Sequence, residues 1–224
     1  MSVIGQLNER SLHNQLKRRY AESGGLVEQK VDGFVVDVLI GDEIVEIQTG
    51  GMIKLRRKLD QLVPAHRVRI VYPIASTIRI LKTAPNGELL SNRHSPRRGR
   101  PEEAFRELGW IADMLPNARI VVDILMVAVT EVRSDDGKGS WRRRGVSIVE
   151  RRLDRIDETI TLVSPDDYLA MLPDCAGTRF TNSDLCECAS LPYRVVQPMT
   201  GALKKMGLLS VERFRGREHE FTRG

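Results

Sequence analysis

The sequence has few aromatic residues and no long apolar run. The first absence excludes a core built on aromatic side chains, and the second excludes a membrane-spanning helix. Aromatic residues make up 5% of the 224 positions, so aliphatic side chains must fill the core. The apolar stretch Ile120–Val129 is interrupted by Asp123 and is much shorter than the ~20 residues of a membrane span. The N-terminal residues lack the basic and apolar segments of a secretory signal. We therefore expect a cytoplasmic protein that makes no use of a membrane.

The sequence also has few cysteines, and their spacing does not suit a zinc site. Cys186 and Cys188 form a Cys-x-Cys pair, but Cys175 is distant and no histidine stands at ligand spacing. An odd number of cysteines in a chain without a secretory signal favours reduced, partly buried thiols. We therefore expect free thiols and no bound zinc.

Positive charge is abundant and unevenly placed. Lys and Arg total 35 against 30 Asp and Glu, which gives a net charge of +5. A single basic cluster is often a solvated loop or strand face, but three together favour a polyanionic partner such as nucleic acid. The three clusters are Arg93, Arg97, Arg98 and Arg100; Arg142, Arg143 and Arg144 with Arg151, Arg152 and Arg155; and Lys204, Lys205, Arg213, Arg215 and Arg217.

Apolar periodicity predicts an α-β-β-β-α-β order in the N-terminal third of the chain. Leu12, Leu16 and Tyr20 recur every four residues, which indicates one face of a helix. This order is typical of a layered α/β or α+β domain. The elements are expected at residues 7–21, 26–30, 33–40, 43–49, 52–62 and 68–74.

The rest of the chain divides into an antiparallel extension and a smaller C-terminal unit. The extension is expected to contain strands at 78–82, 120–132, 146–155 and 159–163 and a helix at 102–115. In the C-terminal unit, Thr181 and Asp184 have the spacing of a helix cap. A second helix follows, in which Pro198 is either an interruption or the start, and two short strands end the chain. We place the two domains at residues 1–165 and 166–224.

The segment Ile40–Glu43 predicts a hairpin that brings two carboxylates together. With Gly41-Asp42 as a two-residue loop, Asp37 is directly opposite Glu46. Opposed like charges in a sheet repel, so two interpretations remain. The acids either bind a divalent cation, which suits converging oxygen ligands, or form a solvated face paired with Lys54 or a nearby arginine. If the pair repels, Asp37→Asn should stabilise the metal-free protein.

Asp37 followed by Glu46-Ile47-Gln48, set in this element order, resembles the PD-(D/E)XK (restriction endonuclease-like) nuclease superfamily. The resemblance covers a core of about residues 7–74. It implies a phosphodiesterase dependent on Mg²⁺, or on Mn²⁺, with Asp37, Glu46 and the carbonyl of Ile47 as metal ligands. It also implies a further acid on the first helix, for which Glu9 is the best candidate and Glu22 the second.

One residue departs from the family pattern. Gln48 stands where the superfamily usually has lysine, although some members carry glutamine there. A neutral amide orients water but supplies no positive charge. Lys54 or Lys58 on the following helix either substitutes for that charge or, as the favoured alternative, is a solvated surface residue, whereas His13 and His66 are interpreted as structural.

The C-terminal order of helix, turn, helix and hairpin resembles winged-helix DNA-binding domains. That resemblance implies DNA contacts from Arg194, Lys204 and Lys205 near the reading helix and from Arg215 and Arg217 at the wing. The leading hypothesis is a metal-dependent DNA endonuclease, with a homodimer as a plausible means of cutting both strands. The alternatives are a catalytically inactive nuclease-like regulator that binds DNA, favoured by Gln48, and an RNA-processing or repair nuclease. A winged helix used for protein contacts also stays open.

Overall fold

The computed structural model describes the backbone of residues 3–223 and the side chains from Leu12 to Arg223. The fold is mixed α+β, with two compact units that each draw on three segments of the chain. The first unit comprises the chain up to Thr49 together with Val71–Arg100 and Leu125–Ile160. The second comprises Gly50–Ile70, Pro101–Ile124 and the chain from Thr161 onward. The proposed domain boundary at 165/166 remains a prediction.

The described residues form six α-helices and ten β-strands. The helices are α1 (Val3–Ala21), α2 (Ile53–Leu62), α3 (Phe105–Leu108), α4 (Pro165–Leu169), α5 (Asn182–Ala189) and α6 (Tyr193–Lys205). The strands are β1 (Leu26–Val31), β2 (Phe34–Ile40), β3 (Glu43–Ile47), β4 (Arg67–Thr83), β5 (Leu89–His94), β6 (Ile120–Ser134), β7 (Ser147–Leu162), β8 (Arg179–Phe180), β9 (Leu209–Arg215) and β10 (Glu218–Arg223). The expected N-terminal order of α-β-β-β-α-β is thus confirmed.

Seven of the strands form one sheet. Its order is β1-β2-β3-β4-β6-β7, and the seventh strand, β5, pairs with β4 but is not part of this linear order. The pairs β1/β2, β2/β3 and β4/β5 are antiparallel. Strands β8, β10 and β9 form a separate three-stranded antiparallel sheet.

The core of the first unit forms between α1 and the sheet. Leu12 and Leu16, predicted from their spacing to share one helix face, are both buried there. They join a cluster of aliphatic side chains from β2, β3, β4 and β6, which removes their apolar surface from water. The strand members of that cluster are Val38, Val45, Ile47, Val71, Ile78, Ile80, Leu125, Val127 and Val129.

Several element boundaries differ from the expectations. The predicted break at residues 75–77 is absent because β4 runs on, and the hydroxyl of Ser76 donates to the carbonyl of Val127 at 3.0 Å. The break expected near residue 157 is also absent, since β7 is continuous. Strand β5 was not predicted, because its polar sequence lacks apolar alternation.

The helix expected at 102–115 is broken into shorter pieces. A 3₁₀ turn at Pro101–Ala104 leads into α3, and a second 3₁₀ turn covers Ala112–Met114. The carboxylate of Glu107 turns away from its own helix and accepts hydrogen bonds at 3.1 Å from the backbone N–H groups of Gly51 and Met52. Its negative charge therefore stabilises the start of α2.

The second unit contains the cap predicted for α5. The hydroxyl of Thr181 accepts from the N–H of Asp184 at 3.2 Å, and the carboxylate of Asp184 accepts from the N–H of Thr181 at 2.8 Å. Helix α6 begins at Tyr193, after Pro192, so the alternative in which Pro198 starts the helix is wrong. Pro198 lies inside α6, which therefore lacks one backbone donor at that turn.

The cysteines contradict the expectation of free thiols. Cys175 and Cys188 form a disulfide, and their Cα atoms are 6.0 Å apart, an ordinary separation for a bridge. Only Cys186 is free among the three. The sequence separation of 13 residues does not by itself indicate this pairing, because it depends on how the intervening chain, with β8 and most of α5, is folded. Within residues 3–223, no helix has the length and apolarity needed to cross a membrane.

A buried carboxylate on β6 provides a test of the fold of the first unit. Glu131 is 3% exposed and accepts hydrogen bonds from Arg133 and Arg151, with shortest distances of 2.6 Å to each. Burial raises the pKa of Glu131, but the two guanidinium groups outweigh burial and hold the pKa below its ordinary value. The ionised carboxylate therefore stabilises the folded state above the unfolded pKa, and this contribution disappears as the pH falls through the folded pKa.

We expect Glu131→Gln to lower the free energy of unfolding by roughly 2 kcal/mol at pH 7, because two charged hydrogen bonds are weakened in a buried position. The loss should shrink progressively as the pH falls from about 4.5, the ordinary pKa of a glutamate, through the lower pKa of Glu131 in the folded state. Urea unfolding at several pH values measures both effects. As a control, Glu212→Gln removes an exposed ion pair with Arg179 and should cost less than about 1 kcal/mol. An equal loss at low and neutral pH would contradict the charge-based account.

Candidate functional site

The hairpin of β2 and β3 has the predicted register. Ile40 pairs with Glu43, Leu39 with Ile44, and Val38 with Val45. Gly41 has a φ of +59°, a conformation that favours glycine at the first position of a two-residue turn. The same register places Asp37 opposite Glu46, one residue beyond the last of these pairs.

At Asp37 and Glu46, side-chain carboxylate oxygens accept hydrogen bonds from the backbone N–H groups of the opposite strand, where a ladder would normally use backbone carbonyls. Oδ2 of Asp37 accepts a hydrogen bond from the N–H of Ile47 at 2.9 Å. Oε1 of Glu46 accepts from the N–H of Asp37 at 3.3 Å. Each carboxylate thus binds the backbone of the opposite strand. These bonds fix both acids near the end of the hairpin that lies away from the turn. Glu46 is 4% exposed, and the side chain of Asp37 is 17% exposed.

A histidine and a lysine of α1 complete the surroundings of Asp37. Nε2 of His13 is 3.0 Å from Oδ2, and Nζ of Lys17 is 3.2 Å from Oδ1. His13 and Lys17 are four residues apart, so they project from the same face of the helix. Lys17 also donates to the exposed carboxylate of Glu28 at 3.2 Å. The packing of Leu12 and Leu16 against the sheet holds this helix face over the hairpin.

The charges of the cluster support one another. Burial raises the pKa of Asp37, but hydrogen bonds from His13 and from the N–H of Ile47, with the positive charges nearby, hold it below its ordinary value. The hydrogen bond to Asp37 raises the pKa of His13 against the effect of burial. For Lys17, burial lowers the pKa, and the charge and hydrogen bond of Asp37 outweigh it, so the net shift is upward. The ionised form of Asp37 is therefore favoured.

These contacts bear on two expectations from the sequence. His13, interpreted as structural, contacts the carboxylate of Asp37, and its structural role stays a prediction. Asp37→Asn was expected to stabilise the metal-free protein by removing repulsion from Glu46. Because His13 and Lys17 compensate the charge of Asp37, we now expect that substitution to destabilise the fold.

The other predicted site residues have different positions. The backbone N–H of Gln48 donates to the carbonyl of Val71 at 2.9 Å, which links the end of β3 to β4. The side chain of Gln48 is half-buried, and Ile47 is buried in the core. Glu22 lies just after α1 and is exposed, without a contact to Asp37 among the described residues. The side chain of Glu9, the preferred helix acid, lies outside the described residues.

The lysine that contacts Asp37 comes from α1, whereas the sequence analysis considered only Lys54 and Lys58 of α2. Lys17 supplies an ammonium group beside Asp37, on a side chain that is 11% exposed. The signal for it was available in the sequence, because His13 and Lys17 occupy helix positions next to Leu12 and Leu16. It was not recognised, since the register between α1 and the hairpin depends on tertiary packing.

The donor set at the end of the hairpin is compatible with Mg²⁺. That ion is usually held by one or two carboxylates and retains several waters, a need that Asp37 and Glu46 are able to meet, while the carbonyl of Ile47 remains a ligand implied only by the family resemblance. Among the described side chains, no group of three or more His, Cys, Asp or Glu residues converges as a metal site. A site here would therefore depend on two carboxylates, backbone oxygen and water.

The residues predicted to bind nucleic acid are mostly exposed. In the first unit, Arg98 donates to the carbonyls of Ser95 and Arg97 within its own loop. In the second unit, Lys205 donates to the carbonyl of Gly109, and Arg215 is bound to Asp184 and Thr181. The remaining members are exposed: Arg93, Arg97, Arg100, Arg194, Lys204 and Arg217.

Comparison with known proteins identifies a family without indicating an activity. A family model described as a domain of unknown function, DUF8091, matches residues 10–163. The chain belongs to the DUF8091 family. The DUF8091 match includes all four residues of the hairpin cluster, namely His13, Lys17, Asp37 and Glu46.

A relative of this DUF8091 protein occurs in Treponema pallidum (strain Nichols), where it is described as an uncharacterized protein. The two chains are 32% identical over 152 residues, which is 67% of this chain and 61% of the relative. The chain thus spans less than two thirds of the length of that relative. No solved structure gives a significant match to the DUF8091 protein.

Proposed function

We propose that the protein is a metal-dependent phosphodiesterase that cleaves nucleic acid at the end of the β2/β3 hairpin. The observation that carries the proposal is the apposition of Asp37 and Glu46, each bound to backbone of the other strand. Carboxylate oxygens that converge from facing strands are the kind of ligand that Mg²⁺ takes in proteins. The two acids are mostly buried, and a cation bound between them would be partly shielded from water.

Asp37, Glu46 and the carbonyl of Ile47 would hold Mg²⁺ or Mn²⁺, and the bound ion would activate water and neutralise charge on the phosphate. Lys17 offers a fixed positive charge beside this position, which stabilises negative charge that develops on a phosphate. Gln48 follows directly after β3, where its amide is suited to orienting water. His13 positions Asp37 through its hydrogen bond to Oδ2.

A second candidate function is a nucleic-acid-binding regulator with an inactive nuclease-like core. The observation that favours it is the occupancy of both carboxylate oxygens of Asp37 by His13 and Lys17. Those contacts satisfy the acid without a metal, and Gln48 provides no charge of its own. In this case the cluster would stabilise the fold and the basic surfaces would carry the function.

We also propose that the end of the chain is a winged-helix module that binds DNA. The order α5, α6, β9 and β10, with β8 completing a three-stranded sheet, supports this reading. Arg194 and Lys204 are exposed on α6, and Arg217 is exposed between β9 and β10. Contacts from such side chains to phosphate give affinity without sequence information. Two copies of the chain would be needed to cut both strands together.

A cleavage assay tests the proposal and separates the polymers. Labelled duplex DNA, single-stranded DNA, branched DNA and RNA are incubated with Mg²⁺, Mn²⁺ or chelator. We expect metal-dependent cleavage of at least one polymer, and we expect Glu46→Gln to reduce it at least about a hundredfold, the upper range for perturbed metal sites.

Asp42→Asn is the matched control. It removes the same charge from the same hairpin, but Asp42 is exposed in the turn. Cleavage should remain within about twofold of wild type, as for other surface substitutions. Binding without cleavage of any polymer would favour the regulator, and equal loss in both variants would argue against a site at Glu46.

A further inference from the structure

We propose that an arginine pocket in the first unit binds single-stranded nucleic acid. The pocket has a volume of about 540 Å³ and combines basic residues that are far apart in the sequence. Its basic lining residues are Lys82, Arg93, Arg133, Arg142, Arg143 and Arg144. The inference rests on the proposed function in one respect, because it names the class of strand that the hairpin would cleave.

The sheet register explains how one wall of the pocket forms. On the antiparallel pair β4/β5, Ile80 is opposite Arg93 and Lys82 is opposite Ser91, so these four side chains share one face. On the other side of β4, the N–H of Asp135 donates to the carbonyl of Thr83 at 2.9 Å. That bond brings the end of β6, with Arg133, beside the same wall.

The other wall is the arginine loop, residues 135–146, which has an ordered backbone. The N–H of Gly139 donates to the carbonyl of Gly145 at 2.7 Å, and Asp136 accepts from the hydroxyl of Ser147 at 2.8 Å. A Cβ at Gly139 would collide with the carbonyl of Val146, so the two arms of the loop approach as closely as glycine allows. The three consecutive arginines are thus presented by a constrained turn.

Most of the positive charge in the pocket is not compensated. Lys82 pairs with Asp135 at 2.7 Å, and Arg133 is held by the buried Glu131. Within the described part of the chain, no carboxylate forms an ion pair with Arg93, Arg142 or Arg144. Guanidinium groups that converge without acidic partners are suited to phosphate, which they bind in a bidentate manner.

An exposed tryptophan next to the pocket indicates the form of the nucleic acid. The side chain of Trp141 is 82% exposed, although tryptophan usually buries most of its surface. The guanidinium of Arg142, which lines the pocket, is 5.5 Å from the centre of the Trp141 ring. An aromatic ring beside a basic groove stacks on unpaired bases, whereas the bases of a duplex already stack on each other. The combination therefore favours a single strand.

The test is binding of a labelled oligothymidine, measured by fluorescence anisotropy in chelator so that no cleavage occurs. We expect Arg93→Gln/Arg144→Gln to weaken binding more than about tenfold at low salt and to reduce the salt-dependence slope by about 1.4, as two lost phosphate contacts predict. Arg57→Gln/Arg67→Gln is the matched control, because it removes two exposed positive charges that do not line the pocket. It should change affinity by less than about threefold.

A second pair of variants tests the stacking residue. Trp141→Ala should weaken binding of the single strand at least about fivefold, while Trp141→Phe, which keeps an aromatic ring, should retain most of the affinity. Duplex DNA of the same sequence should bind more weakly and respond little to Trp141→Ala. Equal losses in the arginine double variant and its control, no effect of Trp141→Ala, or tighter binding of the duplex would each overturn the inference. Binding in chelator together with no cleavage of any polymer in Mg²⁺ or Mn²⁺ would overturn the proposed nuclease but not the arginine pocket.

Discussion

Replacing Asp37 with asparagine is expected to abolish metal-dependent cleavage and also to destabilise the metal-free protein. The first effect follows from the loss of a charged oxygen at the proposed metal site, for which we expect at least about a hundredfold lower activity. The second follows from the contacts of Asp37 with His13 and Lys17. Asparagine keeps an oxygen for the N–H of Ile47 but removes the charged partner of His13 and leaves Lys17 with only the exposed Glu28. The expected loss is about 1.5–3 kcal/mol.

Chemical unfolding in excess chelator measures the loss of stability, and the cleavage assay measures the loss of activity. Asp42→Asn removes an equal charge in the turn of the same hairpin and should change neither quantity appreciably. If Asp37→Asn proved more stable than wild type, repulsion between Asp37 and Glu46 would dominate the site. The compensating role assigned to His13 and Lys17 would then be wrong.

Replacing Leu16 with alanine is expected to cause the largest loss of stability of any single change considered. Leu16 is completely buried between α1 and the sheet, in the cluster that contains Val38, Val45 and Ile47. Truncation of a buried leucine removes its transfer free energy and leaves a cavity, which together cost about 2–5 kcal/mol. Because the same helix carries His13 and Lys17, the variant should also loosen their contact with Asp37.

The matched substitution is Arg18→Ala, at an exposed position of the same helix. Alanine is favourable in helices, so this control should stay within about 0.5 kcal/mol of wild type. Thermal or urea unfolding of both variants provides the comparison. A loss below about 1 kcal/mol for Leu16→Ala would show that α1 is not packed on the sheet as described.

Much of the N-terminal architecture was predictable because its signals are local. The four-residue spacing of Leu12 and Leu16 identified the buried face of α1, and Gly41-Asp42 identified the hairpin turn and its register. The cap formed by Thr181 and Asp184 depends on residues three positions apart and was also recognised. The continuity of β4 was not, since Ser76 finds its partner Val127 on a strand distant in sequence.

The candidate site could be predicted only in part, because some of its contacts depend on tertiary packing and not on local signals. Alternation along β2 and β3 placed Asp37 near Glu46, which needs no knowledge of the rest of the fold. His13 and Lys17 reach Asp37 only because α1 packs in one particular register on the hairpin. Likewise, Arg93 and Arg144 belong to separate basic clusters in the sequence, and only the pairing of β4 with β5 and the arginine loop brings them to one pocket.

The most direct test of the central claim is the binding of Mn²⁺, followed by electron paramagnetic resonance, in wild type and in Asp37→Asn. Free Mn²⁺ gives a strong signal that decreases when the ion is bound. The proposed site predicts that wild type binds about one or two ions per chain and that Asp37→Asn loses this binding while remaining folded. Equal binding in the two proteins, or none in wild type with and without nucleic acid, would contradict a metal site at the hairpin.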